Sequence, residues 1–544
     1  MDESAEQRHA ASYGQESVDL PPLHPPSLLS PFDIEVRKWP AFRSTIPYTP
    51  FMNLDRNLCY LAARSRDARF DGKFFIAVVT TGVYCRPICP APTPRLENVR
   101  FVACAAAAEE AGFRPCLRCR PETSPGTPAW LGSSATVSRA LRLISEGALD
   151  EASVEDLAER LGIGERHMRR LFIEHLGASP VAVAQTRRTH FAKKLIDETS
   201  LRISEVAYSS GFASLRRFND AFRKAYGRSP SEWRKSKVKA SGSSGESRLS
   251  LKLPYRAPFD WLSLVRFLRA RAIPGVESID DSSYRRTVKI GDAMGVIEVR
   301  PVEGQRYLLL FVPPELSRSL ALIAERIRRL FDLKADPAEI SGHLVNDPSL
   351  TAAVQAYPGL RVPGTWDAFE IGVRAILGQQ VSVSAATTLS GRLVEAYGTA
   401  LPSEAQDGLL WLFPSPERLS RVTLSKVGMP SKRAEAIRGF ARAVHRGDVA
   451  LTSSSGLETT IERLTSLPGI GPWTAHYIAM RALGEPDAFP SSDLILRRAA
   501  AKKPGETISE AELLERAEAW RPWRAYAALY LWNGYKTQKG VEQS

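Results

Sequence analysis

Apolar spacing changes character several times along the chain. After an Asp71-Gly72 turn, Phe74-Phe75-Ile76-Ala77-Val78-Val79 is a continuous apolar block and predicts a buried strand. From 135 to 235 the period becomes helical and the pattern approximately repeats. Val154–Gly162 leads into Glu165–Phe172, and Ile203–Phe212 leads into Leu215–Asn219. Each copy predicts helix, glycine turn, helix, and Ser153 with Asp156 forms an N-cap signature for the first. A helix over about 180–197 joins the copies.

Between 249 and 360 the pattern turns strand-like. Arg285–Ile290 and Gly295–Arg300 are candidate strands, Tyr307–Val312 reads as a buried one, and Leu316–Phe331 predicts an amphipathic helix. Beyond 361 the period is helical again. Leu467-Pro468-Gly469-Ile470-Gly471-Pro472 predicts a tight turn, with a new helix from Pro472 to about Leu483 that faces Ala475, Ile478, Ala479 and Ala482 to a core. A Gly/Pro loop over 484–490 follows, and Ser491-Ser492-Asp493 opens the next helix.

Composition sets the boundaries. Residues 1–51 are Pro-rich and polar without amphipathic period and read as a disordered tail. Residues 121–128, and 236–248 with Ser241-Gly242-Ser243-Ser244-Gly245, read as linkers. The domains expected are 52–122, 135–235, 249–360 and 361–540. The net charge of +13 (73 Lys plus Arg against 60 Asp plus Glu in 544 residues) implies a polyanionic partner. No apolar run is long enough to span a bilayer and no secretory signal is visible, so a cytoplasmic, nucleoid-associated protein without a membrane partner is expected.

All six cysteines lie before residue 120. Cys85 and Cys89 form one close pair, Cys116 and Cys119 another, with 26 residues between the pairs. In a reducing compartment this spacing favours one tetrahedral zinc over disulfides. Cys59 and Cys104 lack such partners and read as core thiols.

In the Gly469-Ile470-Gly471 turn, backbone N–H groups can approach an anion at the positive end of a helix, gripping a DNA phosphate without reading sequence. The hairpin with Asp493, the stretch Gly372–Ser382 containing Gln379-Gln380, and the closing segment Trp520–Ala527 resemble the AlkA-type helix-hairpin-helix 3-methyladenine DNA glycosylases. The resemblance implies that Gly469 and Gly471 anchor the phosphate. It implies that Asp493 stabilises an oxocarbenium-like sugar while a flipped-out alkylated purine departs. Trp473, Tyr477 and Trp532 match its aromatic pocket positions, where cation–π attraction suits a cationic purine. Gln379 and Gln380 match positions that fill the gap left by the base. An ordinary N-cap remains the alternative role for Asp493, and core packing for the aromatic residues. Trp473 stands where some relatives carry a lysine nucleophile, so a monofunctional hydrolase is expected. Residues 361–540 contain no cysteine, which excludes a four-cysteine iron–sulfur cluster, and the glycosylase needs no cofactor. Residues 249–360 resemble the family's α+β amino-terminal domain, with a packing role and nothing catalytic.

Thr80–Pro87 and Gly112–Cys119 resemble the amino-terminal domain of the Ada-type alkylation-response regulators. There the first zinc cysteine, here Cys85, irreversibly accepts a methyl group from a DNA methylphosphotriester. Methylation lowers the formal charge of a four-thiolate zinc centre from 2− to 1−, which raises affinity for DNA. Arg86, Arg114 and Arg118 are candidate phosphate contacts, while Pro92 departs from the basic residue expected in relatives. A purely structural zinc is the alternative. Phe222–Arg234 resembles the AraC-type activators, and the duplicated unit implies two recognition helices in successive major grooves. His167, Arg169, Arg170, Leu215, Arg216 and Arg217 form the expected contact strip.

The expected architecture is multidomain and mainly α with α+β parts: a small zinc-bound α/β domain, a double helix-turn-helix, an α+β domain and an all-α helix-hairpin-helix domain. The expected function is an alkylation sensor, transcription activator and base-excision glycosylase for 3-methyladenine and 7-methylguanine. Its partners are double-stranded DNA, alkylated or at promoters, and RNA polymerase. The alternative is a regulator whose glycosylase-like half binds DNA without reacting. The Pro-Cys-His-Arg acceptor motif for guanine O6 repair is absent.

Overall fold

The computed structural model describes residues 55–125, 135–237, 248–401, 408–452, 455–501 and 505–542. The expected tail 1–51 and most of the 236–248 linker lie outside the described residues. No helix among the described residues is long and apolar enough to cross a membrane.

The cysteine-bearing region is a small sheet of order β3-β1-β2-β4, with β1 at Phe75–Val78, β2 at Val83–Cys85, β3 at Val99–Val102 and β4 at Arg114–Pro115. All four residues of β1 are buried. The strand is shorter than the apolar block, because Phe74 bridges to Asp71 and Val79 is exposed. Strand β2 runs antiparallel to β1 and parallel to β4, pairing Tyr84 with Pro115. That register ends β2 at Cys85 beside the start of the Cys116–Cys119 turn.

Next comes a bundle with helices Ala135–Ser145, Val154–Arg160, Glu165–Leu176, Pro180–Glu198, Ile203–Ser209, Leu215–Tyr226 and Pro230–Lys237. The Ser153 capping box is present: Asp156 N–H donates to Ser153 Oγ at 3.1 Å, and Ser153 N–H donates to Asp156 Oδ2 at 2.7 Å. Phe172, Phe218 and Phe222 are fully buried, so each helical unit folds around its own aromatic anchors.

The third region is an antiparallel sheet of order β5-β9-β8-β7-β6, with β5 at Leu249–Pro254, β6 at Glu277–Ile279, β7 at Tyr284–Ile290, β8 at Ala293–Pro301 and β9 at Tyr307–Val312. Helices Trp261–Arg269 and Leu320–Leu330 bury apolar faces in the same core. The single helix expected over 316–331 is divided. Pro314–Ser319 is a 3-10 helix, and the α-helix begins at Leu320. Pro313 and Pro314, with φ constrained and no N–H to donate, open this stretch as a tighter turn.

The remainder is helical apart from a two-stranded ribbon that pairs Thr399–Ala400 with Trp411–Leu412, and it closes with helix Arg524–Glu542. One hydrophobic core runs from Phe218 and Trp233 through the five-stranded sheet to Trp520 and Tyr530. Polar contacts join the regions as well. Lys73 pairs with Asp336 at 2.5 Å, and Ser209 Oγ donates to Ser317 O at 2.8 Å. Glu109 accepts from Thr186 at 2.6 Å and lies 3.1 Å from His190 Nε2.

Candidate metal centre, DNA-binding surfaces and cleft

Cys85, Cys89, Cys116 and Cys119 come together, with all four sulfurs within 4.8 Å of one another. Cys89 Sγ and Cys116 Sγ are 3.9 Å apart. Four sulfurs ~2.3 Å from a tetrahedral zinc stand about 3.8 Å apart, so this donor set fits Zn2+. Cys85 is the one thiol of the four that is not fully buried. The Arg86 N–H donates to Cys119 Sγ at 3.3 Å, orienting that sulfur.

The Arg86 side chain corrects an expectation. It is 9% exposed and faces inward. Nε donates to Asp71 Oδ1 at 2.7 Å, Nη2 pairs with Asp71 Oδ2, and Nη1 donates to Cys119 O at 3.0 Å and Thr123 Oγ1 at 2.7 Å. With its donors turned inside, it braces the metal loop and presents nothing to phosphate. Arg114 and Arg118 are exposed beside the cluster. Cys59 is buried, and burial pushes its thiol up to about 11; burial does the same to Cys104, which is half-buried.

In the bundle, His167, Arg169 and Arg170 lie exposed on helix Glu165–Leu176, and Leu215, Arg216 and Arg217 on helix Leu215–Tyr226. Arg169 pairs with Glu165 at 2.5 Å, and Arg170 Nη2 lies 2.9 Å from His167 Nδ1.

The hairpin lies between helices Leu457–Thr465 and Pro472–Ala482. Gly469 has φ +84°, and a Cβ there would meet Ala436 Cβ at 2.5 Å. Ile470 is buried and pins the turn to the core. Gly471 is the N-cap of the following helix, with extended backbone, and both glycines are exposed.

That helix leads directly into a cleft of about 380 Å3. Trp473 and Tyr477 stack along its wall, with ring centroids 5.1 Å apart and planes 10° from parallel. Asp493 reaches the same cleft from the N-cap of helix Leu494–Ala499. Its Oδ1 accepts from Leu496 N–H at 2.9 Å and from Trp532 Nε1 at 3.2 Å, and its Oδ2 accepts from Trp473 Nε1 at 2.9 Å. The N-cap role and the cleft position therefore coexist in one side chain.

At the back of the cleft Arg481, buried, donates to Pro363 O at 2.8 Å, Gly364 O at 3.0 Å and Tyr477 Oη at 2.7 Å. Burial pushes the Tyr477 phenol up. The Arg481 and Arg271 guanidinium groups, with the Arg481 hydrogen bond, outweigh it and bring the phenol down to about 8. His476 is held down to about 4 by burial and by Arg524. Its Nδ1 accepts from Phe489 N–H at 3.3 Å, fixing the loop that leads to Asp493.

Gln379 Nε2 donates to Gly469 O at 2.8 Å and Thr474 Oγ1 at 3.0 Å, so it braces the hairpin, and Gln380 is exposed with φ +55°. Both lie outside the cleft lining. One further expectation changes. The sheet-bearing region contributes more than packing, because Phe267 and Arg271 line the cleft, with the Arg271 guanidinium 3.8 Å over the Phe267 ring. Sequence reasoning missed both, and no local pattern marks them. It also passed over Arg374, inside the Gly372–Ser382 stretch, and Arg481, four residues after Tyr477 on one helix face; both were visible as basic residues at those spacings.

Comparison with known proteins matches four families in order. Residues 58–122 match the metal binding domain of Ada, 157–236 a helix-turn-helix domain, 250–367 the AlkA N-terminal domain, and 373–525 the HhH-GPD superfamily base excision DNA repair protein. The "Probable bifunctional transcriptional activator/DNA repair enzyme AlkA" of Mycobacterium tuberculosis is 42% identical, over 88% of this chain and 97% of its own length. DNA-3-methyladenine glycosylase 2 of Escherichia coli is 37% identical, over 52% of this chain and 95% of its own. The "Bifunctional transcriptional activator/DNA repair enzyme Ada" of Escherichia coli is 39% identical, over 23% of this chain and 34% of its own.

Proposed function

This chain belongs to the family of bifunctional transcriptional activator/DNA repair enzymes of the AlkA kind, and we propose that it couples a methyl-accepting DNA-damage sensor to a base-excising glycosylase. The observation that carries the reading is Asp493, held by two indole N–H groups in an aromatic cleft that the helix opened by the Gly469-Ile470-Gly471 hairpin helps to line.

In the repair half, Gly469 and Gly471 offer backbone N–H groups to a phosphate flanking the lesion. The damaged nucleotide flips into the cleft, where the Trp473–Tyr477 stack and Trp532 receive a purine made cationic by alkylation at N3 or N7. As the C1′–N bond breaks, its electron pair leaves with the base, which becomes neutral. Positive charge then grows on the sugar, beside the Asp493 carboxylate. Water adds to C1′ and releases its proton to solvent. Trp473 carries no amine, so the reaction is a monofunctional hydrolysis that releases 3-methyladenine and 7-methylguanine.

In the sensor half, Zn2+ held by the four cysteines would keep Cys85 a thiolate at neutral pH. The sulfur attacks the methyl carbon of a methylphosphotriester. An S–C bond forms, the C–O bond breaks, and its electron pair leaves the phosphate as a diester anion. The loss of one negative charge from the cluster strengthens DNA binding beside Arg114 and Arg118. The helix-turn-helix units then hold promoter DNA through His167, Arg169, Arg170, Arg216 and Arg217 and present it to RNA polymerase in the cytoplasm.

The test is base release from methylated duplex DNA by the wild type and by Asp493→Asn, which keeps an N-cap acceptor. A loss on the order of 10²-fold or more is expected. Equal release by both proteins would remove the enzymatic reading. Intact-mass measurement after exposure to methylphosphotriester DNA tests the sensor: one added methyl on the Cys85 peptide is expected, and none would remove that half.

A further inference from the structure

Asp493 follows a loop that runs from the end of helix Pro472–Ala482 to the start of helix Leu494–Ala499. A carboxylate that must meet one sugar carbon has to be held within roughly 0.5 Å, and a loop by itself does not supply that precision. Two helices supply it here, each touching the loop segment twice. Helix Pro472–Ala482 holds the carboxylate through Trp473 and, one turn on, accepts the Phe489 N–H at His476 Nδ1. Helix Arg524–Glu542 holds the carboxylate through Trp532 and the loop through its first residue, Arg524.

Arg524 is buried, and most of its donors go to one residue. Nε donates to Asp487 O at 3.1 Å and to Asp487 Oδ1 at 2.8 Å, and Nη2 donates to Asp487 Oδ2 at 2.9 Å. Nη1 reaches Glu518 Oε1 at 3.4 Å. The next backbone N–H, that of Ala525, donates to Pro486 O at 2.8 Å. A fork of this kind fixes both the distance and the angle of its partner. Arg521 also pairs with Asp487, but from a side chain 43% exposed, where an ion pair contributes little. Arg524 acts on the other loop anchor as well. Burial first, then the Arg524 charge, holds His476 down to about 4, so Nδ1 stays free to accept from Phe489 at neutral pH.

Resting on the base-excision reading above, we infer that Arg524 is a positioning residue for the Asp493 carboxylate. Arg524 and Trp532 are eight residues apart on one helix, about 12 Å along its axis. The helix therefore acts as a ruler. Arg524 fixes the loop six residues before Asp493, and Trp532 fixes the carboxylate itself. The hairpin is braced separately, by Gln379 and by packing on Ala436. Loss of the clamp lowers the excision rate and spares DNA affinity.

The test is single-turnover release of 7-methylguanine from methylated duplex by the full-length protein, with affinity for undamaged duplex measured alongside. Arg524→Lys keeps the charge and loses the fork. Asp487→Asn alters the partner at a half-buried loop position and reads the clamp even if Arg524→Lys folds poorly. Each variant is expected to lower the rate roughly 10- to 100-fold and leave duplex affinity unchanged. Trp532→Phe already lacks the bond to Asp493 Oδ1. In that background Arg524→Lys should cost clearly less than it costs the wild type, because residues acting through one group are not additive. Asp493→Asn is the control. If it excises like the wild type, the base-excision reading falls and takes the inference with it. If it is inactive while Arg524→Lys and Asp487→Asn keep the wild-type rate, the inference alone falls. Losses that multiply fully in the double variant, or duplex affinity that falls in step with the rate, also overturn it.

Discussion

Trp473 Nε1 donates to Asp493 Oδ2 at 2.9 Å, joining the first turn of the hairpin helix to the N-cap of the next helix across 20 positions of sequence. The pair fixes the acid's orientation at the edge of an aromatic stack. Trp473→Phe keeps a stacking ring and removes the donor. Because a hydrogen bond to a charged group contributes about 1.5–3 kcal/mol, kcat for 7-methylguanine release should fall roughly 10- to 100-fold with little change in KM. Single-turnover kinetics check this; an unchanged kcat would mean that the bond does not hold Asp493 for the reaction.

Gly469 tests the hairpin. Its φ of +84° and the 2.5 Å approach of Ala436 leave no room for a side chain. Gly469→Ala should cost about 1–3 kcal/mol in chemical denaturation and weaken binding to undamaged duplex. Gly471→Ala, at extended backbone with open space around the new Cβ, should cost much less stability. Equal losses in the two variants would contradict the geometric difference.

Arg86 separates bracing from phosphate contact. Its pair with Asp71 is nearly closed to solvent, with side chains 10% and 7% exposed. Removing one partner of such a pair costs about 3–5 kcal/mol. Arg86→Gln should therefore lower the unfolding midpoint and the zinc content of the amino-terminal region. Arg118→Gln should leave stability alone and reduce the salt dependence of binding to methylphosphotriester DNA. Anisotropy titrations at several salt concentrations distinguish the two.

Tyr477 predicts a pH effect. Arg481 and Arg271 bring its phenol to about 8 against an ordinary value near 10. Between those two values the unfolded chain holds a proton that the folded chain has released, so this group's contribution to stability grows as pH rises from 8 to 10. Ultraviolet difference titration should show one tyrosine ionising near pH 8, and Tyr477→Phe should abolish that step. Its persistence in the variant would assign it to another residue.

Much of this molecule was legible in the chain because its signals are local. The cysteine spacings, the Ser153–Asp156 capping box, the duplicated helix-turn-helix pattern and the Gly469-Ile470-Gly471 turn each depend on a few neighbouring residues. Backbone conformation and capping chemistry act over that distance. Arg86 was misread because a basic residue next to a metal loop looks the same in sequence whether it faces phosphate or Asp71. The bond from Gln379 to Gly469 O was not legible because the two residues lie 90 positions apart.

Sequence alone thus determined which modules the chain contains and which residue types each holds, since helix periods, turns and ligand spacings are written within single elements. Only the tertiary structure decided which side chains meet. It brought Phe267 and Arg271 to the cleft and put Asp493 between two indoles. Those choices follow from close packing among elements far apart in the chain, where burial forces each polar group to find a partner that no local pattern names.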